Sequence, residues 1–276
     1  MNGLLKEIEA KVSHRNWFIA LDRDGTLVPY ADRPEEARVT NALYRLLGEL
    51  SHIEGFQIAI VSARSVAQLH GDFDSENLIL AGNYGMEVTF PDGRSMVESR
   101  AQAAVPQLKE LRDQLAHHID LTTGAILEDH GYSLCLHWHR VPATAQDELH
   151  VSVAELLKRF PQVTLKTLPT SYEMVPNMAW DKSLALGWID AHLDGPPEGR
   201  FYFYAGDSEA DTPAFDWVNQ RNGISVRVGK MDHLGARYRL GRPADLLGLL
   251  KHIATLRASN NFGGERAAAS RQDAPS

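Results

Sequence analysis

Two aspartates, Asp22 and Asp24, directly follow a short apolar run in the stretch "FIALDRDGTLVPY". A carboxylate at the end of a buried strand can attack a phosphoryl group and form an aspartyl-phosphate. A second carboxylate two residues later can protonate the leaving oxygen and then activate water. Two acids in one turn are also typical of a Mg²⁺ site. The alternative is an Asx-type turn that ends the strand and has no chemical role.

Two more polar clusters follow along the chain. Ser62 and Ala63 in "VSARS" offer a hydroxyl and backbone N–H groups to phosphate oxygens, although Ser62 alone is as easily the N-cap of a helix. Lys182 opens the amphipathic stretch "AWDKSLALGWI", where it can neutralise a phosphate and an attacking carboxylate. Its alternative is a solvated surface lysine.

A fourth cluster, "YAGDSEADTPAF", places Asp207 and Asp211 one helical turn apart after another apolar run. This spacing suits a metal ligand and an acid that supports it, whereas the alternative is a pair of helix-capping aspartates. Each of the four clusters lies next to a strand or helix that would direct its side chains toward one common point. This placement favours a shared role for the four clusters.

Short apolar runs separated by amphipathic stretches predict parallel strands joined by crossover helices, because strands covered on both faces read as continuous apolar runs. The predicted strands are 17–21, 56–61, 78–82, 201–206 and 223–228. The leucines of 41–53 have helical spacing and predict the first crossover helix. The fold class is therefore α/β, and ligands of such sheets bind beyond the carboxyl ends of the strands.

The pattern changes between 92 and 176 to helix, two strands, helix, two strands, which predicts a smaller α+β cap domain inserted into the sheet domain. The core then comprises 1–91 and 177–258. The remaining stretch, 259–276, has few apolar residues and no periodicity, and we expect it to be disordered.

Composition narrows the functional classes. A formal charge of −8 over 276 residues argues against nucleic acid as a partner and leaves small molecules. No apolar run approaches a membrane span, so we expect no membrane partner. A single cysteine, Cys135, cannot form an internal disulfide, which favours a cytoplasmic location. Nothing in the composition indicates an oligomeric state.

Taken in order, the four clusters resemble the motifs of the haloacid-dehalogenase-like superfamily of phosphatases and phosphotransferases. The resemblance implies a Rossmann-like parallel-sheet core with an inserted cap. It makes Asp22 the nucleophile and Asp24 the general acid/base. It implies a Mg²⁺ cofactor held by Asp22, the Asp24 carbonyl and Asp207, with Asp211 in support. Phosphate would be bound by Asp22, Arg23, Ser62, Ala63 and Lys182.

More narrowly, the chain is similar to trehalose-6-phosphate phosphatases, and the similarity reaches the predicted cap through "AGNYGMEV", "LEDHGYSLCLHWHR" and "SYEMVPNMAWDKSLAL". The residues that agree with the family pattern are Glu128, Gly131, His137, Glu173 and Pro176. Three cap positions depart from it, with His130 in place of lysine and His139 and Val175 in place of arginines, and the last motif reads "GDSEAD" where the family has Gly-Asp-Asp-x-Thr-Asp. The resemblance implies sugar contacts from Glu128, His130, His137 and Glu173.

The implied function is Mg²⁺-dependent hydrolysis of a phosphorylated sugar, trehalose 6-phosphate, to trehalose and phosphate. Phosphatases of other phosphorylated sugars or of glycosyl-acid phosphates, such as mannosyl- or glucosyl-phosphoglycerate, remain open because the cap departs from the family pattern. A phosphomutase and a non-enzymatic sugar-phosphate sensor are further alternatives. The histidines 130, 137 and 139 also permit a zinc site.

Overall fold

The computed structural model describes residues 2–33, 36–73, 77–118, 124–230 and 235–272, with side chains up to Ser259. The helices are α1 Asn2–Lys11, α2 Asn41–Ser51, α3 Val66–Asp72, α4 Ser99–His118, α5 Ala143–Leu157, α6 Lys182–Asp190, α7 Thr212–Asn219 and α8 Pro243–Gln272. The strands are β1 Asn16–Leu21, β2 Phe56–Val61, β3 Leu78–Gly82, β4 Glu87–Thr89, β5 Ser95–Val97, β6 Ile126–Asp129, β7 Leu134–His137, β8 Val163–Thr167, β9 Ser171–Pro176, β10 Arg200–Gly206, β11 Ile224–Val228 and β12 Tyr238–Leu240. Among these helices, none is long and apolar enough to cross a membrane.

The larger sheet has the strand order β12-β11-β10-β1-β2-β3-β4-β5. Pairing is parallel from β12 to β3, and β4 and β5 add an antiparallel edge. The five predicted strands all lie in the parallel part, as continuous apolar runs require. The predicted α/β fold class with a parallel core is confirmed.

Helices cover both faces of the larger sheet. Along β1, Trp17, Ile19 and Leu21 belong to one buried cluster, and Phe18 and Ala20 belong to another. Side chains of α1, α2 and α8 complete the first cluster, and side chains of α6 and α7 complete the second. This alternation buries both faces of β1 and fixes the direction in which the chain leaves it.

The smaller sheet is antiparallel and has the order β6-β7-β9-β8. Leu134, Leu136 and Met174 point from one face into a buried cluster that they share with α4 and α5. The intervening residues Cys135 and Glu173 point from the opposite face, because side chains alternate along a strand. We call the smaller sheet with α4 and α5 the cap, and in the described residues both of these helices pack against its apolar face.

Two boundaries differ from the predicted domain limits. β5 pairs with β4, so residues 95–97 belong to the larger sheet rather than to a cap that begins at 92. A tight turn returns the chain there, with the Gly93 N–H donating to the Phe90 carbonyl at 3.0 Å. α8 continues to Gln272, so the backbone of 259–272 is helical, whereas we expected disorder. Residues 273–276 lie outside the described residues.

Candidate functional site

Three chain segments that carry predicted site residues meet at the carboxyl edge of the larger sheet. In β1, Leu21 pairs with Ile60 of β2 and with Ala205 of β10. Asp22 therefore lies level with the ends of both neighbours. The Asp22 N–H donates to the Ala205 carbonyl at 2.9 Å, which holds the first residue after β1 in line with β10.

Lys182 joins the two most deeply buried aspartates of the site. Its Nζ donates to Asp22 Oδ1 at 2.6 Å and to Asp211 Oδ1 at 2.5 Å. Lys182 is 3% exposed, so the alternative of a solvated surface lysine is wrong. The N-cap Asp181 accepts from the Ser183 N–H at 2.8 Å, and this cap fixes the start of α6 where Lys182 turns inward.

Asp211 is saturated with hydrogen-bond donors. Its Oδ1 accepts from Lys182 and, at 2.6 Å, from the Tyr204 hydroxyl. Its Oδ2 accepts from the Asp207 N–H at 3.0 Å, the Ser208 N–H at 2.9 Å and the Ser208 hydroxyl at 2.9 Å. Burial acts to raise the pKa of Asp211, but Lys182 and these donors hold it below its usual value. The low pKa favours the ionised form of Asp211, which anchors its neighbours.

Asp207 lies next to this anchor and reaches toward the turn after β1. Thr26 donates to its Oδ1 at 3.2 Å and the Tyr30 hydroxyl donates to its Oδ2 at 3.0 Å. Burial and then the Asp211 charge raise the pKa of Asp207 to about 6. The turn approaches so closely that a Cβ on Gly25, which has a φ of +82°, would lie 2.2 Å from Asp207 Oδ2.

The carboxylates of Asp22, Asp207 and Asp211 fit a divalent cation. One oxygen from each lies within 4.8 Å of the others. Burial raises the pKa of Asp22 well above its usual value, and the charges of Asp211 and Asp207 oppose the lowering effect of Lys182. One lysine therefore leaves an excess of negative charge, which a hard cation with oxygen ligands would offset. Since Asp211 is already saturated, Asp22 and Asp207 are the side chains available to such an ion.

Asp24 is held by two arginines. Arg64 donates from Nε to Asp24 Oδ2 at 2.9 Å and from Nη2 to Oδ1 at 3.0 Å, and Arg23 also donates to Oδ1. The Arg23 guanidinium further binds Asp72 and the Ala37 carbonyl, at 2.8 Å and 2.6 Å. The Arg23 side chain is therefore committed away from a phosphate, and only its backbone N–H remains for that predicted role.

Ser62 immediately follows β2, beside Ala63, and is 1% exposed. Its hydroxyl accepts from the Arg64 N–H at 3.1 Å. The alternative that Ser62 caps a helix is wrong, because the N-cap of α3 is Ser65, which forms a capping box with Gln68. Ser62 thus remains at the strand end, at the same edge as Asp22.

The predicted sugar contacts lie on the polar face of the cap sheet. Cys135 of β7 pairs with Glu128 of β6 on one side and with Glu173 of β9 on the other. Glu173 in turn pairs with Lys166 of β8. These residues therefore form one row across four strands. His137 lies two residues beyond Cys135 on the same face, and its Nε2 lies 2.6 Å from Glu128 Oε2.

The two glutamates of this row have pKa values that are shifted in opposite directions. Burial acts to raise the pKa of Glu128, but His130 and His137 hold it well below its usual value. Burial raises the pKa of Glu173, with His130 acting in the opposite direction. His130 lies in the turn after β6 and is 5% exposed. The structure therefore brings all four predicted cap residues together.

The loop after β3 connects cap and core. The Asn83 amide donates to the His130 carbonyl at 2.9 Å and accepts from the Ser133 hydroxyl at 2.5 Å. Lys166 of the cap lies over the ring of Tyr84, 5.0 Å from its centre. Asn83 and Tyr84 both have positive φ values, 49° and 59°, so the loop has a backbone conformation that non-glycine residues rarely adopt.

Tyr84 is buried close to ionisable groups of both the cap and the core. Burial raises its pKa well above the usual value, and charges on both sides add to this effect. These charges come from Glu173 of the cap and from Asp22 and Asp211 of the core. The polar face of the cap therefore lies opposite the carboxylate cluster.

The sequence did not predict the roles of Tyr30, Arg64, Asn83, Tyr84 and Tyr204 at this site. Arg64 lies in the quoted "VSARS" stretch and Tyr30 in the stretch after Asp24, so their positions were the available signal. Asn83 and Tyr84 lie in the stretch "AGNYGMEV", which shares the family resemblance, but their role depends on the backbone of the loop and is not readable from that stretch.

Comparison with known proteins identifies the family. The trehalose-phosphatase family model matches residues 20–242. An uncharacterized glycosyl hydrolase of Mycobacterium tuberculosis is 29% identical over 90% of this chain and 19% of its own length. A probable trehalose-phosphate phosphatase of Arabidopsis thaliana is 28% identical over 84% of this chain and 66% of its own. The chain thus spans about a fifth of the first relative and about two thirds of the second.

A solved structure, the C-terminal domain of Candida albicans trehalose-6-phosphate phosphatase, shares the fold with a TM-score of 0.77. It is 20% identical, and the likeness covers 91% of this chain and 96% of that one. Since the family model spans most of the chain and includes Asp22, Lys182 and Asp211, the chain belongs to the trehalose-phosphatase family.

Proposed function

We propose that the protein is a Mg²⁺-dependent phosphatase that hydrolyses trehalose 6-phosphate to trehalose and phosphate. The observation that carries the proposal is the pairing of a buried, lysine-held aspartate in the core with a polar cap face opposite it. Family membership and the relatives named as trehalose-phosphate phosphatases support the substrate. A single cysteine supports a reducing, cytoplasmic compartment.

Asp22 is the nucleophile of this proposal. Lys182 binds Asp22 Oδ1, so the second oxygen is the one left to attack phosphorus and form an aspartyl-phosphate. The lysine charge also stabilises the negative charge that accumulates on the phosphoryl oxygens. Asp211 and Tyr204 keep Lys182 in place, because the lysine and the tyrosine hydroxyl share the same carboxylate oxygen.

Asp24 is the general acid that protonates the sugar oxygen and the base that later activates water. In the structure both of its oxygens bind arginines, so the side chain has to exchange Arg64 for the substrate oxygen before it transfers a proton. Arg64 is thus a positioning residue that holds the Asp24 side chain beside the reaction centre.

Phosphate and metal binding complete the core site. The Ser62 hydroxyl, Lys182 and the backbone N–H groups of Arg23 and Ala63 would bind the phosphoryl oxygens. Asp22, the Asp24 carbonyl and Asp207 would hold Mg²⁺, with Asp211 as support, and the ion would offset the charge between nucleophile and phosphate.

The cap supplies recognition of the sugar. Glu128 and Glu173 offer acceptors and His130 and His137 offer ring nitrogens, which together match sugar hydroxyls that both donate and accept. Glu173 Oε2 has no hydrogen-bond partner within the described residues, so a sugar hydroxyl can satisfy it. A hydroxyl bound there is worth far more to specificity than apolar contact, because its loss leaves a buried carboxylate unpaired.

A panel of phosphorylated sugars tests the proposal. The full chain with Mg²⁺ should release phosphate and trehalose from trehalose 6-phosphate with the highest kcat/KM. The panel includes glucose 6-phosphate and a glucosyl-phosphoglycerate as controls. A preference for either control would reject the proposed substrate. Transfer of the phosphoryl group to a second position of the sugar, without phosphate release, would instead indicate a phosphomutase.

A further inference from the structure

Glu128, Cys135 and His137 form a compact cluster of donor atoms on the polar face of the cap sheet. One atom from each lies within 4.8 Å of the others. The His137 Nε2 is 2.6 Å from Glu128 Oε2 and 3.3 Å from Cys135 Sγ. The strand register produces this arrangement, because Glu128 pairs with Cys135 and His137 follows on the same face. A carboxylate, a thiol and an imidazole therefore converge from two strands.

Two buried side chains beside this cluster have unsatisfied polar atoms. His130 is 5% exposed and its Nε2 lies 3.8 Å from Glu128 Oε1. Neither of its ring nitrogens has a hydrogen-bond partner in the described part of the chain, and the same is true of Glu173 Oε2. A buried polar atom left without a hydrogen-bond partner destabilises the fold. The unpaired atoms of His130 and Glu173 are therefore available to a ligand.

The donor set matches zinc better than magnesium. Zinc binds thiolate, imidazole and carboxylate in tetrahedral sites, whereas Mg²⁺ takes oxygen ligands almost alone. Tetrahedral zinc bond lengths place a nitrogen and a sulfur ligand about 3.6 Å apart, and a nitrogen and an oxygen ligand about 3.3 Å apart. The His137–Cys135 separation of 3.3 Å is close to the first value. The distance from His137 Nε2 to Glu128 Oε2 is 2.6 Å, and rotation of the Glu128 carboxylate would lengthen it to the nitrogen–oxygen value.

We propose that Glu128, Cys135, His137 and His130 form a zinc-binding site in the cap, separate from the carboxylate cluster of the core. A bound ion occupies the face to which the proposed function assigns the sugar. Zinc and sugar phosphate therefore exclude each other, a consequence that rests on the proposed function, whereas binding of the ion itself does not.

Cobalt is the probe for the site, because a cobalt–thiolate bond produces a near-ultraviolet charge-transfer band. Cys135 is the single cysteine of the chain, so this band reports the cap and not the core. The full chain, with Mg²⁺ saturating the core, should bind one equivalent of Co²⁺ with this band, and zinc should displace it. The band should disappear in Cys135→Ser and weaken at least tenfold in His137→Asn.

His139→Asn is the matched control, since His139 is exposed and its ring centre lies 6.2 Å from that of His137. This variant should retain the band. Absence of the band in the unaltered protein, or an undiminished band in His137→Asn, would overturn the proposal. Zinc should also raise the KM for the sugar phosphate in the unaltered protein and not in Cys135→Ser. Equal inhibition of both proteins would overturn the exclusion between zinc and sugar.

Discussion

Asp211 accepts five hydrogen bonds, and its replacement by asparagine tests whether it anchors the site. Lys182 and Tyr204 donate to Oδ1, whereas the Asp207 N–H and both donors of Ser208 bind Oδ2. An amide keeps one acceptor oxygen and turns the other position into a donor. In either orientation of the amide, at least two of the five donors then lose the oxygen that accepts from them, because Oδ1 serves two donors and Oδ2 serves three.

The cost follows from the number of lost bonds. Hydrogen bonds to charged groups are worth about 1.5–3 kcal/mol each, so the loss of two predicts roughly 3–6 kcal/mol. This is a large fraction of the about 5–15 kcal/mol that stabilises a typical domain. Asp211→Asn should therefore lower the free energy of unfolding by several kcal/mol and Tm by on the order of 10 °C. Thermal and urea unfolding followed by circular dichroism, without added metal, measure both quantities.

Asp22→Asn is the matched control. The Asp22 carboxylate is buried beside Asp207 and Asp211, which raises its pKa, and its bond from Lys182 needs only one acceptor. An amide keeps that acceptor and removes a repelled charge. We expect unchanged or increased stability for Asp22→Asn. If Asp211→Asn destabilises the protein no more than Asp22→Asn does, the reasoning about Asp211 is refuted.

Four further predictions concern the cap, the metal, pH and the last helix. Glu173→Gln should lower kcat/KM for the sugar phosphate by about tenfold or more but affect a small aryl phosphate far less, since only the sugar reaches the cap; equal losses would mean that Glu173 serves cap folding. Chelation should abolish phosphate release and Mg²⁺ should restore it, and full turnover after chelation would exclude a metal. Protonation of Asp207, whose pKa is raised to about 6 by burial and Asp211, should weaken Mg²⁺ binding as pH falls below that value; a pH-independent dissociation constant, measured by titration, would contradict this. Deletion of 259–276 should leave turnover and Tm nearly unchanged, and a drop of several degrees would show that this segment docks on the core.

The strands of the core and the residues at their ends were predictable from sequence. A buried parallel strand is a continuous apolar run, and a polar residue directly after it, such as Asp22 or Asp207, lies at the carboxyl edge by topology. The N-cap of α3 was also readable from Ser65 rather than Ser62, because Ser65 is followed three residues later by Gln68.

The contacts that join cap and core were not predictable in this way. Asn83 binds His130 and Ser133, which lie 47 and 50 residues away along the chain, and no local pattern encodes such a pairing. The clamp of Arg64 on Asp24 similarly depends on how far β2 projects relative to β1. Such contacts follow from the packing of whole elements, which single-sequence patterns do not specify.

Phosphate release from trehalose 6-phosphate by the full chain and by Asp22→Asn, with Mg²⁺ present, tests the central claim most directly. We predict steady turnover by the unaltered protein and a loss of many orders of magnitude in Asp22→Asn, although the variant folds at least as stably. Failure of the unaltered protein to release phosphate would contradict the proposed function. Substantial turnover by a folded Asp22→Asn protein would contradict Asp22 as the nucleophile.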